Sequence, residues 1–133
     1  MAEMSEVRHL SVSIARSAEL VYDFLSDPAS FPKWASGLGT LSRVDGRWVA
    51  QTPDGPMQVR FSERNAFGVL DHWATPQPDV QIYIPLRVVA NGEGCELIFT
   101  LFRQPGMDQE RFEADAEWVK RDLNAAKHLL EGA

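Results

Sequence analysis

The chain has 133 residues, 44% of them hydrophobic and 24% charged, which suits one domain over 1–133 that buries its core without disulfide or metal. A formal net charge of −6 with no Lys/Arg cluster argues against a grip on nucleic acid or on an anionic membrane surface. No apolar run approaches the ~20 residues that cross a bilayer, and Glu3 and Glu6 stand where a signal peptide would be apolar, so a cytoplasmic protein is expected.

Residues 8–14 alternate, with Leu10, Val12 and Ile14 on one face and His9, Ser11 and Ser13 on the other, which predicts a half-buried strand. Ser17 is placed to cap a helix with Glu19 in its first turn and Leu20, Val21, Phe24 and Leu25 as its apolar face. Asp27-Pro28 stops that helix, and Phe31-Pro32-Lys33-Trp34-Ala35 fits a second short helical turn bounded by Gly37 and Gly39.

From Leu38 the apolar period becomes two, and six strands in a meander are expected. Asp45-Gly46 and Asp54-Gly55 carry the signature of two-residue hairpin turns. The first places Leu41 opposite Ala50; the second places Ala50 opposite Val59 and Trp48 opposite Phe61. A turn at Asn65-Ala66 places Phe61 opposite Leu70 and Val59 opposite His72. The strand over 80–90 shows Val80, Ile82, Ile84, Leu86 and Val88 on one face, with a bulge or bend at Pro85, which cannot donate to a ladder. A Gly92-Glu93 turn then pairs Val88 with Leu97, Leu86 with Phe99, Ile84 with Leu101 and Ile82 with Arg103. Cys95 is alone, so no intrachain disulfide forms, and within an apolar strand it reads as a small buried hydrophobe.

The last quarter of the chain predicts one long helix. Asp108 is the N-cap, Met107 and Phe112 suit a hydrophobic staple, and Gly132 is the stop. Phe112, Ala116, Val119, Leu123, Ala126 and Leu130 recur by fours and threes, a single apolar stripe on a helix about 34 Å long. Glu113, Glu117, Lys120, Arg121, Asn124 and Lys127 make the solvent face. Strand, two helical pieces, strands and long helix describe an α+β architecture, a strongly twisted antiparallel sheet with the helix across its concave face.

The opening Ser17-Ala18-Glu19-Leu20-Val21-Tyr22-Asp23-Phe24-Leu25-Ser26-Asp27-Pro28, followed by Phe31-Pro32-Lys33-Trp34, resembles that of the START/Bet v 1-like helix-grip superfamily, and within it the bacterial polyketide cyclase/dehydrase-like proteins. The resemblance covers essentially the whole chain through element order and final helix length. It implies a curved antiparallel sheet wrapped around the C-terminal helix, two short helices after the first strand, and an apolar ligand held between helix and sheet. The superfamily includes carriers, cyclases, hydrolases and proteins with no known reaction, so fold alone does not choose among these.

Such a cavity is expected to have Phe112, Ala116, Val119 and Leu123 as its roof and Phe61, Ile82, Ile84, Leu86, Phe99 and Leu101 as its floor, with Trp34 either gating the opening or packing in the core. His72 faces inward in the register above, where an imidazole of near-neutral pKa suits a general acid or base or a hydrogen bond to a ligand carbonyl. A register shifted by one residue puts Asp71 and Trp73 inside instead. Arg103 is placed either to anchor a ligand carboxylate at the cavity mouth or to pair with Glu110 or Asp108. Trp118, off the apolar stripe, marks a partner or dimer contact or else lies against neighbouring loops. His9, His72 and His128 are far apart, no carboxylate spacing suggests a metal site, and no cofactor or nucleophile motif is present.

Three functions follow as expectations. The first is binding of a small apolar or aromatic molecule. The second is a cyclase or dehydratase using His72 with an orienting donor such as Arg103. The third is an interaction protein that docks a partner, or a second copy as a homodimer, through Trp118.

Overall fold

The computed structural model describes residues 4–36 and 39–132; Gly37 and Leu38, on which the expected helix boundary and the strand start fell, lie outside them. The chain runs β1 (Val7–Ile14), α1 (Ala18–Leu25), a 3₁₀ turn (Pro28–Ser30), α2 (Phe31–Trp34), β2 (Leu41–Val44), β3 (Arg47–Thr52), β4 (Gly55–Phe61), β5 (His72–Gln77), β6 (Val80–Ile84), β7 (Leu86–Asn91), β8 (Gly94–Phe102) and α3 (Gln109–Glu131). One antiparallel sheet has the order β1-β8-β7 and the other β2-β3-β4-β5-β6. Leu70 N–H donates to Leu86 O (2.7 Å) and Val88 N–H to Gly68 O (2.9 Å), joining the two into one wall that bends sharply at Pro85. α3 lies across this wall against β1 and β8, with α2 beside it. A curved antiparallel sheet holding a long C-terminal helix is the expected fold class.

The caps form as their residue types dictate. Ser17 accepts from Leu20 N–H (3.2 Å), Asp27 from Ala29 N–H (3.0 Å) and Asp108 from Arg111 N–H (2.8 Å). The six residues of the α3 stripe, Phe112 through Leu130, are the six that become buried; Val119, Leu123, Ala126 and Leu130 pack with Ile14, Val21, Leu86 and Leu97 in the core. On α1 the buried side is Val21, Tyr22 and Leu25; Leu20, expected on the apolar face, is exposed, because Tyr22 turns inward in its place. Tyr22 does so with its hydroxyl satisfied, accepting from Asn65 N–H at 2.8 Å.

Two hairpin registers differ from expectation, each by two residues. The Asp45-Gly46 turn forms as expected, with φ of 52° and 78° and Leu41 opposite Ala50. The next turn is centred on Pro53-Asp54 rather than Asp54-Gly55, so Ala50 faces Met57 and Trp48 faces Val59. The reason is chemical. A turn around Asp54-Gly55 would be closed by the N–H groups of Pro53 and Pro56, and proline has none. Thr52 closes the real turn, its Oγ1 accepting from Asp54 N–H and donating to Gly55 O.

The β4–β5 connection is likewise wider than a two-residue turn, giving Phe61 opposite His72 and Val59 opposite Ala74. Asn65 organises it: Oδ1 accepts from Phe67 and Val69 N–H, while Nδ2 donates to Glu63 O and Val69 O. A shift of two keeps every side chain on its face, so His72 still points inward and Trp73 outward.

The β7–β8 pairs form as expected, Val88 with Leu97 and Leu86 with Phe99. The expected continuation to Ile84–Leu101 and Ile82–Arg103 does not form. Pro85 ends that ladder and diverts β6 to β5, where Ile84 lies opposite His72 and Ile82 opposite Ala74. The expected single strand over 80–90 is therefore β6 and β7, and seven strands follow α2 rather than six.

Candidate functional site

Between the middle of α3 and the sheet lies a chamber of about 170 Å³. Its floor is Met57 and Val59 of β4, His72 and Ala74 of β5, Ile84 of β6 and Phe99 of β8; its roof is Val119 and Asp122 of α3. Phe31, Trp34, Ala35 and Ser36, in and just after α2, form the side wall. Strand alternation selects the floor: Val59 of β4 lies opposite Ala74 of β5, and His72 of β5 opposite Ile84 of β6, all on the inward face. Ala74 and Ala35 are what leave space: a larger side chain at either would fill it.

A recess of about 20 Å³ adjoins the chamber and shares Phe31, Trp34 and His72 with it. Tyr22, Leu25, Phe61, Leu70 and Leu86 complete its apolar lining, with Ser26 and Ser62 as its hydroxyls. Phe31 is the hub of the aromatic packing here, edge-on to Trp34 (5.5 Å), Phe61 (5.5 Å) and His72 (5.4 Å).

Three polar groups belong to these walls. His72 is 4% exposed, and its Nδ1 lies 3.2 Å from Leu70 O. A carbonyl only accepts, so Nδ1 carries the proton and Nε2 presents a lone pair, with no partner among the described residues. Burial pushes its pKa down to about 4, only partly opposed by Leu70 O and the charge of Asp71. The imidazole is therefore neutral near pH 7, with Nε2 an acceptor and the pKa below the near-neutral value expected of a general acid or base.

Trp34 is 4% exposed, and its Nε1–H is the one buried side-chain donor or acceptor among the described residues that lacks a partner. Asp122 accepts through Oδ1 from Ser36 N–H (3.0 Å) and from the Ser36 hydroxyl, while Oδ2 has no partner among the described residues. Burial raises the Asp122 carboxyl; the two Ser36 bonds and Arg121 work against that rise.

Of the residues expected in the site, Trp34, His72, Ile84, Phe99 and Val119 line the chamber, and Phe61 and Leu86 line the recess. Ile82, Leu101, Ala116 and Leu123 do not. Leu123 and Ala116 are packed in the core, and Leu101 lies opposite Arg8 on β1. Phe112 is buried at the far end of α3, beneath the Arg8 guanidinium at 5.2 Å.

Arg103 lies away from the chamber. It clamps the chain entering α3 by donating to Met107 O (2.9 Å), Glu6 Oε1 (3.0 Å) and Gln109 Oε1 (3.0 Å), so its ion pair is with Glu6, not with Glu110 or Asp108. Trp118 is 44% exposed, donates from Nε1 to Ser36 O (3.1 Å) and carries Arg121 over its ring at 5.8 Å.

The lining residues not singled out from sequence are Phe31, Ala35, Ser36, Met57, Val59, Ala74 and Asp122. For Asp122 a signal existed: it stands three residues after Val119 and so on the adjoining flank of the helix.

Asp71, buried on the outward side beside His72, is the polar centre that neither register predicted. It accepts from Tyr83 Oη (2.7 Å), Leu86 N–H (3.0 Å), and Arg87 Nε (2.8 Å) and Nη2 (2.7 Å). Burial alone would raise its pKa; these bonds outweigh that and hold it at about 2. With every bond satisfied internally, it fixes β5 against the bend at Pro85 rather than offering a site.

An open groove of about 550 Å³ lies outside, between α1, the Asn65 loop and β7. It is larger than the chamber, and its lining mixes apolar Phe67, Val88 and Val89 with charged Glu19 and the ion pair of Arg64 with Asp23.

A curved antiparallel sheet gripping a long C-terminal helix defines the helix-grip class of α+β domains. Within that class, this chain belongs to the polyketide cyclase/dehydrase and lipid transport family, whose description matches residues 6–131. Among solved structures it is similar to an uncharacterised protein from Bacillus thuringiensis (TM-score 0.75, 15% identity, covering 94% of this chain and 98% of that one). It is similar also to a START superfamily protein from Mycobacterium smegmatis (0.69, 14%, covering 95% and 97%). The ZhuI aromatase/cyclase from a Streptomyces strain is a third (0.65, 19%, covering 95% and 94%). No curated protein sequence matches. At these identities the likeness establishes fold.

Proposed function

We propose that this protein binds a small aromatic molecule in the chamber beneath α3. The observation that carries the reading is an apolar space of about 170 Å³ whose walls include a buried imidazole and the carboxyl group of Asp122. Sites for small molecules combine an apolar concavity with a few polar groups of this kind. Size narrows the ligand. A dry cavity of about 150 Å³ takes benzene, whereas drug-sized ligands occupy about 300 Å³ or more. One ring with short substituents fits within the chamber, and any larger ligand would extend out through its open side. Calorimetric titration with p-ethylphenol tests this. Saturable binding with a negative heat-capacity change is expected, weakened at least ~10-fold by Val119→Trp, which fills the chamber from the roof. Equal binding by both proteins rejects the reading.

A dehydrating enzyme is the second reading, favoured because His72 and Asp122 line the same chamber. Neutral His72 Nε2 would take the proton from the carbon beside a ligand carbonyl. In the turnover where Asp122 holds a proton, it would pass that proton to the departing hydroxyl, releasing water and leaving a carbon–carbon double bond, and the proton taken up by His72 would return to Asp122. Arg103 has no part in it. His72→Gln would then abolish turnover of a β-hydroxy ketone while leaving its affinity nearly unchanged; undiminished turnover removes this reading.

A further inference from the structure

Four polar side chains line the chamber, those of Trp34, Ser36, His72 and Asp122, and what they offer a ligand is one-sided. Their donors are already committed or enclosed. Ser36 gives both its N–H and its hydroxyl to Asp122 Oδ1, His72 gives Nδ1–H to Leu70 O, and Trp34 Nε1–H is buried within the wall. The acceptors are not: the Nε2 lone pair of neutral His72 and Oδ2 of Asp122 have no partner among the described residues. Trp34 Nε1 is the one fully enclosed atom without a partner among those residues, so neither of these two acceptors is enclosed with it. Asp122 also lacks a counter-charge. No Lys or Arg lines the chamber, and Arg121, its neighbour in sequence, lies over the Trp118 ring at 5.8 Å. A carboxylate drawn partly out of water among apolar walls is costly until a cation meets it.

We infer that the chamber selects a single-ring aromatic amine in its protonated form, with the ammonium on Asp122 Oδ2 and the ring among Phe31, Trp34 and Phe99, and that it rejects the matching carboxylate. An ammonium brings a positive charge and three donors, and no acceptor that these walls would leave unpaired. A carboxylate brings only acceptors to walls without a free side-chain donor. This rests on the chamber being a binding site at all, and the experiment separates the two claims. Three probes of nearly equal size are titrated calorimetrically near neutral pH: p-ethylphenol, 4-hydroxybenzylamine, in which an ammonium replaces the terminal methyl, and 4-hydroxybenzoate, in which a carboxylate replaces the ethyl group.

In the wild-type chain the amine binds about 10-fold more tightly than p-ethylphenol, the scale of one charge-assisted hydrogen bond, and 4-hydroxybenzoate binds more weakly than either. Each variant is read as the ratio of its own amine and p-ethylphenol affinities, so that a general loss of affinity does not enter. Asp122→Asn, which keeps an oxygen for Ser36, brings that ratio down to about one or below. Glu117→Gln removes the same charge from the exposed face of α3, outside the chamber, and keeps the ratio at about 10. Thermal melts establish that both variants are folded, and the wild-type comparison needs neither.

If p-ethylphenol binds but the amine is no tighter, or the carboxylate binds as well as the amine, charge selection is overturned while the binding function stands. If the amine's advantage survives Asp122→Asn, or Glu117→Gln abolishes it as fully, the attraction comes from the chain's net charge of −6 and the assignment to Asp122 is overturned. Binding of the amine alone, lost in Asp122→Asn, supports the inference as a ratio above 10 would. If neither p-ethylphenol nor the amine binds, the binding function fails and this inference with it.

Discussion

An imidazole enclosed by Phe31, Phe61 and Ile84 cannot be charged without losing its hydration, which is why burial holds His72 at about 4 against the usual 6.5. Between those two values the unfolded chain binds a proton that the folded chain refuses. Stability is therefore intact above about 6.5 and is lost as pH falls toward 4, by about 3 kcal/mol in all. Urea midpoints measured across this window should drop in the wild-type protein and stay nearly level in His72→Gln. Asp71 acts lower on the scale and in the same sense: a carboxyl held at about 2 against 3.8 contributes stability above 3.8 that is lost as pH falls through 2. Asp71→Asn is expected to cost about 2 kcal/mol in urea unfolding, less than a fully buried ion pair because Arg87 reaches solvent. Of these two neighbours only His72 was legible beforehand. Alternation assigns Asp71 to the outward side, which normally means water, and its partners Tyr83 and Arg87 come from strands beyond the next turn.

α3 was read almost residue for residue because a helix writes its buried stripe into a local period, and cap and stop residues adjoin it. Hairpin register is not local in that way. The Asp-Gly dipeptide points to a turn, but whether that turn closes depends on N–H groups at both flanks, which Pro53 and Pro56 lack. The face pattern could not reveal the error, since a slip of two leaves inside and outside unchanged. The loop from β4 to β5 depends on a single glycine. Gly68 sits at a φ of 71°, and a Cβ there would lie 2.3 Å from Val88 O, next to the Val88 N–H to Gly68 O hydrogen bond that joins the two sheets. Gly68→Ala should therefore destabilise the fold by more than about 2 kcal/mol in chemical denaturation, from left-handed strain and the backbone clash together. A smaller loss would mean that the loop relaxes away from β7.

At the scale of the molecule, the site is a product of convergence. β4, β5, β6, β8, α2 and α3 each give one to three residues to one small space, and only two small side chains, Ala35 and Ala74, keep it open. Sequence pattern identified the inward faces, hence His72, Ile84, Phe99 and Val119. It spread the expected roof from Phe112 to Leu123, whereas α3 meets the chamber only around Val119 and Asp122; Phe112, Ala116 and Leu123 are buried to either side. Phe31 was passed over because it read as part of a short helical turn, with nothing local to show that the bend at Pro28 swings its ring over the sheet.

The larger groove outside, with Phe67 83% exposed on the Asn65 loop, is the competing place for an apolar molecule. One measurement separates them: intermolecular NOEs from p-ethylphenol to the isotope-labelled protein. Contacts to the methyl groups of Val59, Ile84 and Val119 are expected; contacts confined to Phe67 and Val89, or none at saturation, would contradict a ligand chamber beneath α3.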